Sequence, residues 1–442
     1  MLTGSSKLTT KVLVVGSGGR EHALLQTLQR TSKLPLSLFS APGNGGISQL
    51  ATCVPIPAND ILALLRFARA ENIDLTIVGP EGPLADGIVD EFEGSGLKII
   101  GPSRAAARLE ASKSFAKDFM QRHEIPTAPY AVANSAGEAV AALRSGKFGP
   151  PESAVVVKAD GLAAGKGVVV ARSHDEAERA VVELLSGSLV APQAAQHLVI
   201  EAALAGREVS VLLFADGRDY VLMPAARDHK RIGENDTGPN TGGMGAITDA
   251  KLIDSETLNR IVRDIVVPTL EGAVAEGFPF RGILFIGLML TATGPQVLEY
   301  NVRFGDPETQ AVLVRLQTDL WRIFQAMITG KLGDINVDWS EQASACVVLA
   351  SGGYPGAYET GVVISGLERL AASDSLQVFH AGTEKSRNGD YVTSGGRVLG
   401  VTSTGITLVE ALRTCYEAIG EVNWKGMQYR RDIGRFSESH EW

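Results

Sequence analysis

The stretch Leu298-Glu299-Tyr300-Asn301-Val302-Arg303-Phe304-Gly305-Asp306-Pro307-Glu308-Thr309 presents a carboxylate and an amide at alternate positions behind the apolar pair Val297-Leu298. Strand side chains repeat with period two, so Glu299 and Asn301 are expected on one face. Hard-oxygen ligands of this kind suit Mg²⁺, which takes its other ligands from water and nucleotide phosphates. Arg303 continues the parity and is expected to set a guanidinium beside the metal, where a phosphoryl group would sit. Alone, the stretch reads equally well as an edge strand with a solvated face and a Gly-Asp-Pro turn. Its surroundings decide between the two.

Upstream, strand runs alternate with helices. Strands are expected over 11–15, 36–40 and 75–78, helices over 20–30 and 61–70. Each strand closes on a glycine loop: Gly16-Ser17-Gly18-Gly19, Pro42-Gly43-Asn44-Gly45-Gly46 and Gly79-Pro80-Glu81-Gly82. This alternation predicts a parallel α/β sheet with ligands at the carboxyl ends of its strands. A helix over 112–122 leads into a smaller unit with strands over 154–158, 168–171 and 198–201 and a helix over 175–185. Strands follow over 209–214 and 220–223, then a polar glycine-rich loop over 227–245, a helix over 255–276 and a strand over 282–290. A last segment carries strands over 345–350 and 397–402 and a helix over 407–419. The expected fold class is mixed α/β and α+β, in several domains: 1–110, 111–340 with a small lid at about 126–204, and 341–442.

Two glycine motifs are near misses. Gly16-Ser17-Gly18-Gly19-Arg20-Glu21 has Glu21 at the third glycine position of a dinucleotide fingerprint, and no ribose-binding acid ends the second strand. A helix N-terminus there still suits a lone phosphate. Gly161-Leu162-Ala163-Ala164-Gly165-Lys166-Gly167 is one residue short of a Walker A loop, with Gly167 where the hydroxyl should stand. It reads as a hairpin cover over nucleotide phosphates, or simply as a flexible hairpin. Lys158, closing the apolar run Val155-Val156-Val157, needs a partner, either a phosphate or a neighbouring carboxylate. Lys113 could equally be a solvated helix residue.

Composition narrows the class. Of 442 residues, 45% are hydrophobic and 21% charged, as in globular proteins. The net charge of −9 speaks against a nucleic-acid surface. Cys53, Cys346 and Cys415 are far apart, which predicts free thiols and no zinc site. No signal-peptide core or membrane-length apolar run is present, so a cytoplasmic enzyme is expected, with no membrane partner. No further fused activity is expected beyond Trp442.

Together these features resemble the ATP-grasp superfamily and, within it, the phosphoribosylamine–glycine ligase (glycinamide ribonucleotide synthetase) family. The carrying residues are Gly16-Ser17-Gly18-Gly19-Arg20-Glu21-His22-Ala23, Ala41-Pro42-Gly43-Asn44, Val78-Gly79-Pro80-Glu81 and the run Lys158 to Gly167. Asp228-His229-Lys230-Arg231, Asp236-Thr237-Gly238-Pro239-Asn240-Thr241-Gly242-Gly243-Met244-Gly245 and Arg303-Phe304-Gly305-Asp306-Pro307-Glu308-Thr309-Gln310 join them. So do Ser351-Gly352-Gly353-Tyr354-Pro355-Gly356, Phe379-His380-Ala381-Gly382-Thr383 and Gly395-Gly396-Arg397-Val398-Leu399.

The resemblance implies an N-terminal α/β domain, a mobile lid, a central ATP-grasp domain and a C-terminal domain. It implies that Lys113 and Lys158 contact ATP phosphates beneath Gly161, Gly165, Lys166 and Gly167, and that Glu201 to Leu204 lies along adenine. Glu208 would take the ribose hydroxyls, and Glu299 and Asn301 a Mg²⁺ or Mn²⁺ ion. Ala202 and Ala203 depart from the family's usual second acid and aromatic, which predicts weaker packing on the base. The implied reaction joins glycine to 5-phosphoribosylamine at the expense of ATP. Arg303 and Asp228 are the catalytic candidates. Asn240, Thr241 and Gly242 are expected on glycine, and Gly18, Gly19, Arg20 and Asn44 on the phosphoribosyl end. The upstream amidotransferase is a possible transient partner. His22 and His229 are expected to be structural. Competing readings are a formate- or carbon dioxide-using ligase, against which the 236–245 run speaks, and a non-catalytic nucleotide module, against which the complete Glu299, Asn301 and Arg303 set speaks.

Overall fold

The computed structural model describes residues 9–163, 167–187, 192–370 and 375–435. The run Val12-Leu13-Val14-Val15 has no solvent exposure, as expected of a strand covered on both faces. It lies at the centre of a five-stranded parallel sheet ordered Thr52–Cys53, Leu36–Pro42, Thr10–Gly16, Leu75–Val78, Ile99–Ile100. The order reverses direction beside Thr10–Gly16, so the glycine loops meet at a crevice. Gly18 caps helix Gly19–Thr31, and its N–H donates to the Glu21 carboxylate at 2.5 Å. A Cβ at Gly79 would stand 1.8 Å from Glu21 Oε1, so glycine alone lets the third loop close over that carboxylate.

A four-stranded sheet, ordered Tyr130–Ala133, Leu198–Ala202, Val155–Ala159, Val168–Ala171, packs against helices Ala136–Arg144 and His174–Leu185. Its apolar cluster, from Ala133 to Ile200, is separate from the rest of the core. Thr127 Oγ1 donates to Val297 O at 2.7 Å where this unit joins the body.

The largest sheet is antiparallel. Its order is Gly294–Asn301, Arg281–Thr291, Arg207–Asp216, Ala226–Asp228, Gly245–Thr248, Ala343–Ala350, Arg397–Gly405, Leu376–His380. One sheet therefore continues through residue 340. The polar 227–245 segment, expected as a loop, instead carries short strands: Ala226–Asp228 and Gly245–Thr248 join the sheet, and Arg231–Gly233 pairs with Thr237–Asn240. Its glycines masked a pairing that partners distant in sequence supply. The helix expected over 255–276 is interrupted by a π turn at Val262–Val266. In strand Gly294–Asn301 the pairing slips between Gly287 and Leu288, so that Gly287 faces Glu299 and Leu288 faces Val297. This bulge at Leu298 sets the parity of the residues after it, burying Tyr300 and leaving Glu299 and Asn301 on the open face.

Candidate active site

The cleft between the four-stranded unit and the large sheet gathers charge from many elements. Glu299 is its centre: burial opposes its ionisation, but Lys230, Lys158, Lys113 and Arg303 outweigh that and hold the carboxyl below the usual range. Lys230 Nζ lies 3.7 Å from Glu299 Oε1 and also pairs with Glu208. Lys113 Nζ donates to Gly161 O at 3.1 Å, tying the helix of Lys113 to the hairpin cover. Burial lowers its pKa against the pull of Glu299.

Lys158 has a carboxylate partner. Glu201, itself buried, pairs with Lys158 Nζ at 2.7 Å through Oε1 and with Lys117 Nζ at 2.8 Å through Oε2. Lys158 also donates to Leu298 O at 3.2 Å, directly before Glu299. Burial pulls the Lys117 ammonium down to about 8 despite Glu201. Lys117 is absent from the sequence expectations, although its place four residues after Lys113 puts both on one helix face. Leu204 lies just beyond strand Leu198–Ala202 and Glu208 near the start of Arg207–Asp216. Gly165 and Lys166 lie outside the described residues; Gly167 O accepts from Ala159 N at 2.7 Å.

Arg303 sits past the end of its strand, held by Glu110 at 3.0 Å and Glu81 at 3.3 Å, with a bond to Asn301 Oδ1 at 3.2 Å. Burial works against its charge, but Glu110, Glu81, Glu308 and Glu299 overcome it. Glu110 and Glu81, unforeseen in the sequence, thus aim this arginine. Asp228 faces Lys230 amid Glu308, Glu208 and Glu299; burial, then crowding by those carboxylates, raises its pKa well above the usual range. Such a cluster favours any arriving cation. No group of three or more His, Cys, Asp or Glu side chains poised for a metal occurs among the described residues. Glu299 and Asn301 fit an ion that completes its shell with phosphates and water.

A second cavity, of about 610 Å³, opens between the N-terminal glycine loops and the C-terminal segment. Gly18 and Asn44 line it, facing Thr383, Lys385 and Arg397. Gly19 and Arg20, expected at the same end, are buried. Arg20 is 7% exposed, its Nε on Glu21 at 2.6 Å and an Nη on Phe304 O at 3.0 Å. Asn44 braces the loop, donating to Ser17 O and His380 O at 2.8 Å each. Thr241 Oγ1 donates to Lys230 O at 2.8 Å, Gly242 N to the Tyr354 hydroxyl at 3.0 Å, and Asn240 ends the short ribbon beside them. Arg397 joins these parts through Gly242 O and Asp306, whose carboxylate lies 3.2 Å away. His22, buried in the first turn of its helix, accepts from His380 N at 2.8 Å. His229 accepts from Gly434 N at 2.9 Å.

Three family models cover almost the whole chain: the phosphoribosylglycinamide synthetase N domain over 10–110, its ATP-grasp (A) domain over 111–309 and its C domain over 344–436. The chain belongs to the phosphoribosylglycinamide synthetase family. Phosphoribosylamine–glycine ligases of Vibrio cholerae and Chlorobaculum tepidum are 47% and 48% identical to it, covering 96% of this chain and 97% and 99% of theirs. The solved Thermotoga maritima phosphoribosylamine–glycine ligase superposes with a TM-score of 0.81 at 33% identity, covering 96% of this chain and all of that one. A biotin carboxylase domain from Hydrogenobacter thermophilus, solved with MgADP and bicarbonate, shares the fold at a TM-score of 0.69 and 16% identity, covering 95% of this chain and 91% of that one. No helix among the described residues is long and apolar enough to cross a membrane.

Proposed function

We propose that this chain is an ATP-dependent carbon–nitrogen ligase that joins glycine to 5-phosphoribosylamine, yielding glycinamide ribonucleotide, ADP and phosphate for purine biosynthesis. The observation that carries the reading is the convergence of Lys113, Lys158, Lys230 and Arg303 on Glu299 in a chain that matches all three family domains.

ATP enters between the lid and the large sheet, its base along the backbone of Glu201 to Leu204 and its ribose on Glu208. Lys230 then exchanges Glu208 for the phosphates. Lys113 and Lys158 hold the phosphates beneath Gly161, Gly165, Lys166 and Gly167. Glu299 and Asn301 would hold Mg²⁺ or Mn²⁺, which would supply positive charge to neutralise the phosphates. The glycine ammonium rests among Asp228 and its carboxylate neighbours, and its carboxylate reaches toward the turn of Asn240, Thr241 and Gly242. That carboxylate attacks the γ-phosphorus and ADP leaves. The phosphoribosylamine nitrogen then attacks the glycyl carbon, a proton is lost from nitrogen and phosphate departs. Arg303, aimed by Glu81 and Glu110, stabilises oxygens that gain charge in both steps. No side-chain nucleophile is needed, because phosphoryl transfer rests on positioning and charge.

Gly18, Asn44, Lys385 and Arg397 receive the phosphoribosyl end. Lability of the amine favours its reception in transient contact with the amidotransferase that makes it, in the cytoplasm. Purified protein with Mg²⁺, ATP, glycine and phosphoribosylamine is expected to release ADP and glycinamide ribonucleotide in equal amounts. Equal ADP release with and without glycine overturns the reading.

A further inference from the structure

Behind the active site, on the reverse of the same sheet, lies a separate cavity of about 570 Å³. Alternation along two neighbouring strands explains it. Glu208 and Asp228 face the nucleotide cleft, so Arg207 and Arg227 face the other way. Both line this cavity, with Arg260 from helix Ser255–Ile261 on a third side. Three guanidinium groups thus meet one carboxylate, Glu256, in the wall.

All three have company: Arg260 donates to Thr293 O at 2.7 Å and lies 3.6 Å from Asp264, Arg207 lends its charge to Asp254, and Arg227 has a partner as well. Arg207 and Arg227 are the central pair. Burial first, and the charge of Arg207 second, bring the Arg227 pKa down to about 10, although Asp236, Glu208 and Asp228 oppose the fall. A bound anion would relieve that repulsion. The remaining wall is apolar or neutral: Leu290 stands beside Arg207 as its partner on the neighbouring strand, and Leu252 and Pro295 also line the cavity.

Size and wall chemistry together define the ligand class. Ligand pockets commonly measure about 300–1,000 Å³, so this one has room for more than a bare phosphate ion. Guanidinium pairs recognise phosphate oxygens through forked, charge-assisted hydrogen bonds. We propose that the Arg207–Arg227 cavity is a second binding site, separate from the catalytic cleft, for a small phosphate monoester whose organic body lies on Leu252, Leu290 and Pro295.

The test is calorimetric titration of the full chain with phenyl phosphate, with ADP, Mg²⁺ and glycinamide ribonucleotide present to occupy both the cleft and the cavity proposed for the phosphoribosyl end. Wild-type protein is expected to bind one equivalent at millimolar concentration or below. Arg207→Gln and Arg227→Gln are each expected to weaken binding by about tenfold or more, because each removes a charge-assisted contact, while the ATP KM stays at the wild-type value. Arg207→Lys, which keeps charge but loses the fork, should fall between. Inorganic phosphate should bind more weakly than phenyl phosphate, since it leaves the apolar wall uncovered. Unchanged affinity in folded Arg207→Gln protein, or no binding to wild type at millimolar concentration, overturns the site. Equal binding of benzoate overturns the assignment to phosphate. Neither result bears on glycine-dependent ADP release, so the ligase reading stands or falls separately.

Discussion

At the scale of single residues, the site works by setting charge against charge. Glu299 is kept ionised by four cations while remaining open to the cleft. Glu299→Gln preserves shape and removes the charge that would face the metal. Turnover is expected to fall by about 10²–10³, the usual effect of losing one preorganised electrostatic group, while the protein still folds. Near-normal turnover at low Mg²⁺ would rule out Glu299 as a ligand. Away from the cleft, burial, then the charge of His380, depresses His22 to about 3; burial and Lys385 bring His380 to about 4. In the unfolded chain both titrate near 6.5. Between those values the unfolded state binds protons that the native state refuses, so stability is full above pH 6.5 and declines as pH falls. His22→Gln keeps an acceptor for His380 N–H and removes one source of this loss. Its melting temperature should fall less steeply than wild type between neutral pH and about 4; parallel slopes would contradict the assignment.

At the scale of elements, the four-stranded unit stands apart because its apolar cluster is its own. Polar links join it to the body: Thr127 to Val297, Lys113 to Gly161, and Lys158 to Leu298. A unit of this kind can change its angle without breaking its core, as closure over a water-sensitive acyl phosphate demands. ATP with Mg²⁺ is expected to slow amide exchange in Val155–Ala159 and Leu198–Ala202 and to leave Thr10–Gly16 unchanged. Equal slowing in all three strands would indicate global stabilisation instead of lid closure. Helix Leu320–Thr329 shows what the sequence reading passed over. Asp319 caps it, accepting from Trp321 N at 2.9 Å, and Gly330 ends it in the left-handed region. Both boundary signals were present.

At the scale of the whole molecule, the cavity proposed for the phosphoribosyl end is made by parts of the chain more than three hundred positions apart. Gly18 and Asn44 form one wall, Lys385 and Arg397 the other. The His380 strand is fastened to the first helix through His22, and Arg397 fastens Asp306 to the Gly242 turn. Lys385, exposed at the cavity rim, is expected to act on phosphoribosylamine alone. Lys385→Ala should raise that KM by about tenfold, the scale of one hydrogen bond to a charged group, with the ATP KM unchanged. Lys158→Ala should do the reverse, raising the ATP KM and lowering kcat. A raised ATP KM in Lys385→Ala would remove the C-terminal segment from the phosphoribosyl site. Arg20→Ala is a poorer probe, since it strips a buried partner from Glu21 as well.

What the sequence determined by itself was local. The runs at 11–15, 36–40 and 75–78 declared a parallel sheet because buried strands, glycine loops and intervening helices are written within a few residues of one another. The alternation at Glu299 and Asn301 set both on one face for the same reason, and the bulge at Leu298 left that parity intact. Tertiary structure decided which charges face one another. Whether Lys158 met a carboxylate or awaited a phosphate depended on Glu201 arriving from a strand farther along the chain, with Lys117 on its other side. Arg20 offered the sequence a guanidinium for a phosphate, and the fold set it on Phe304 O and the Glu21 carboxylate. Burial is set by the surfaces that pack, and those surfaces come together only when the chain has folded.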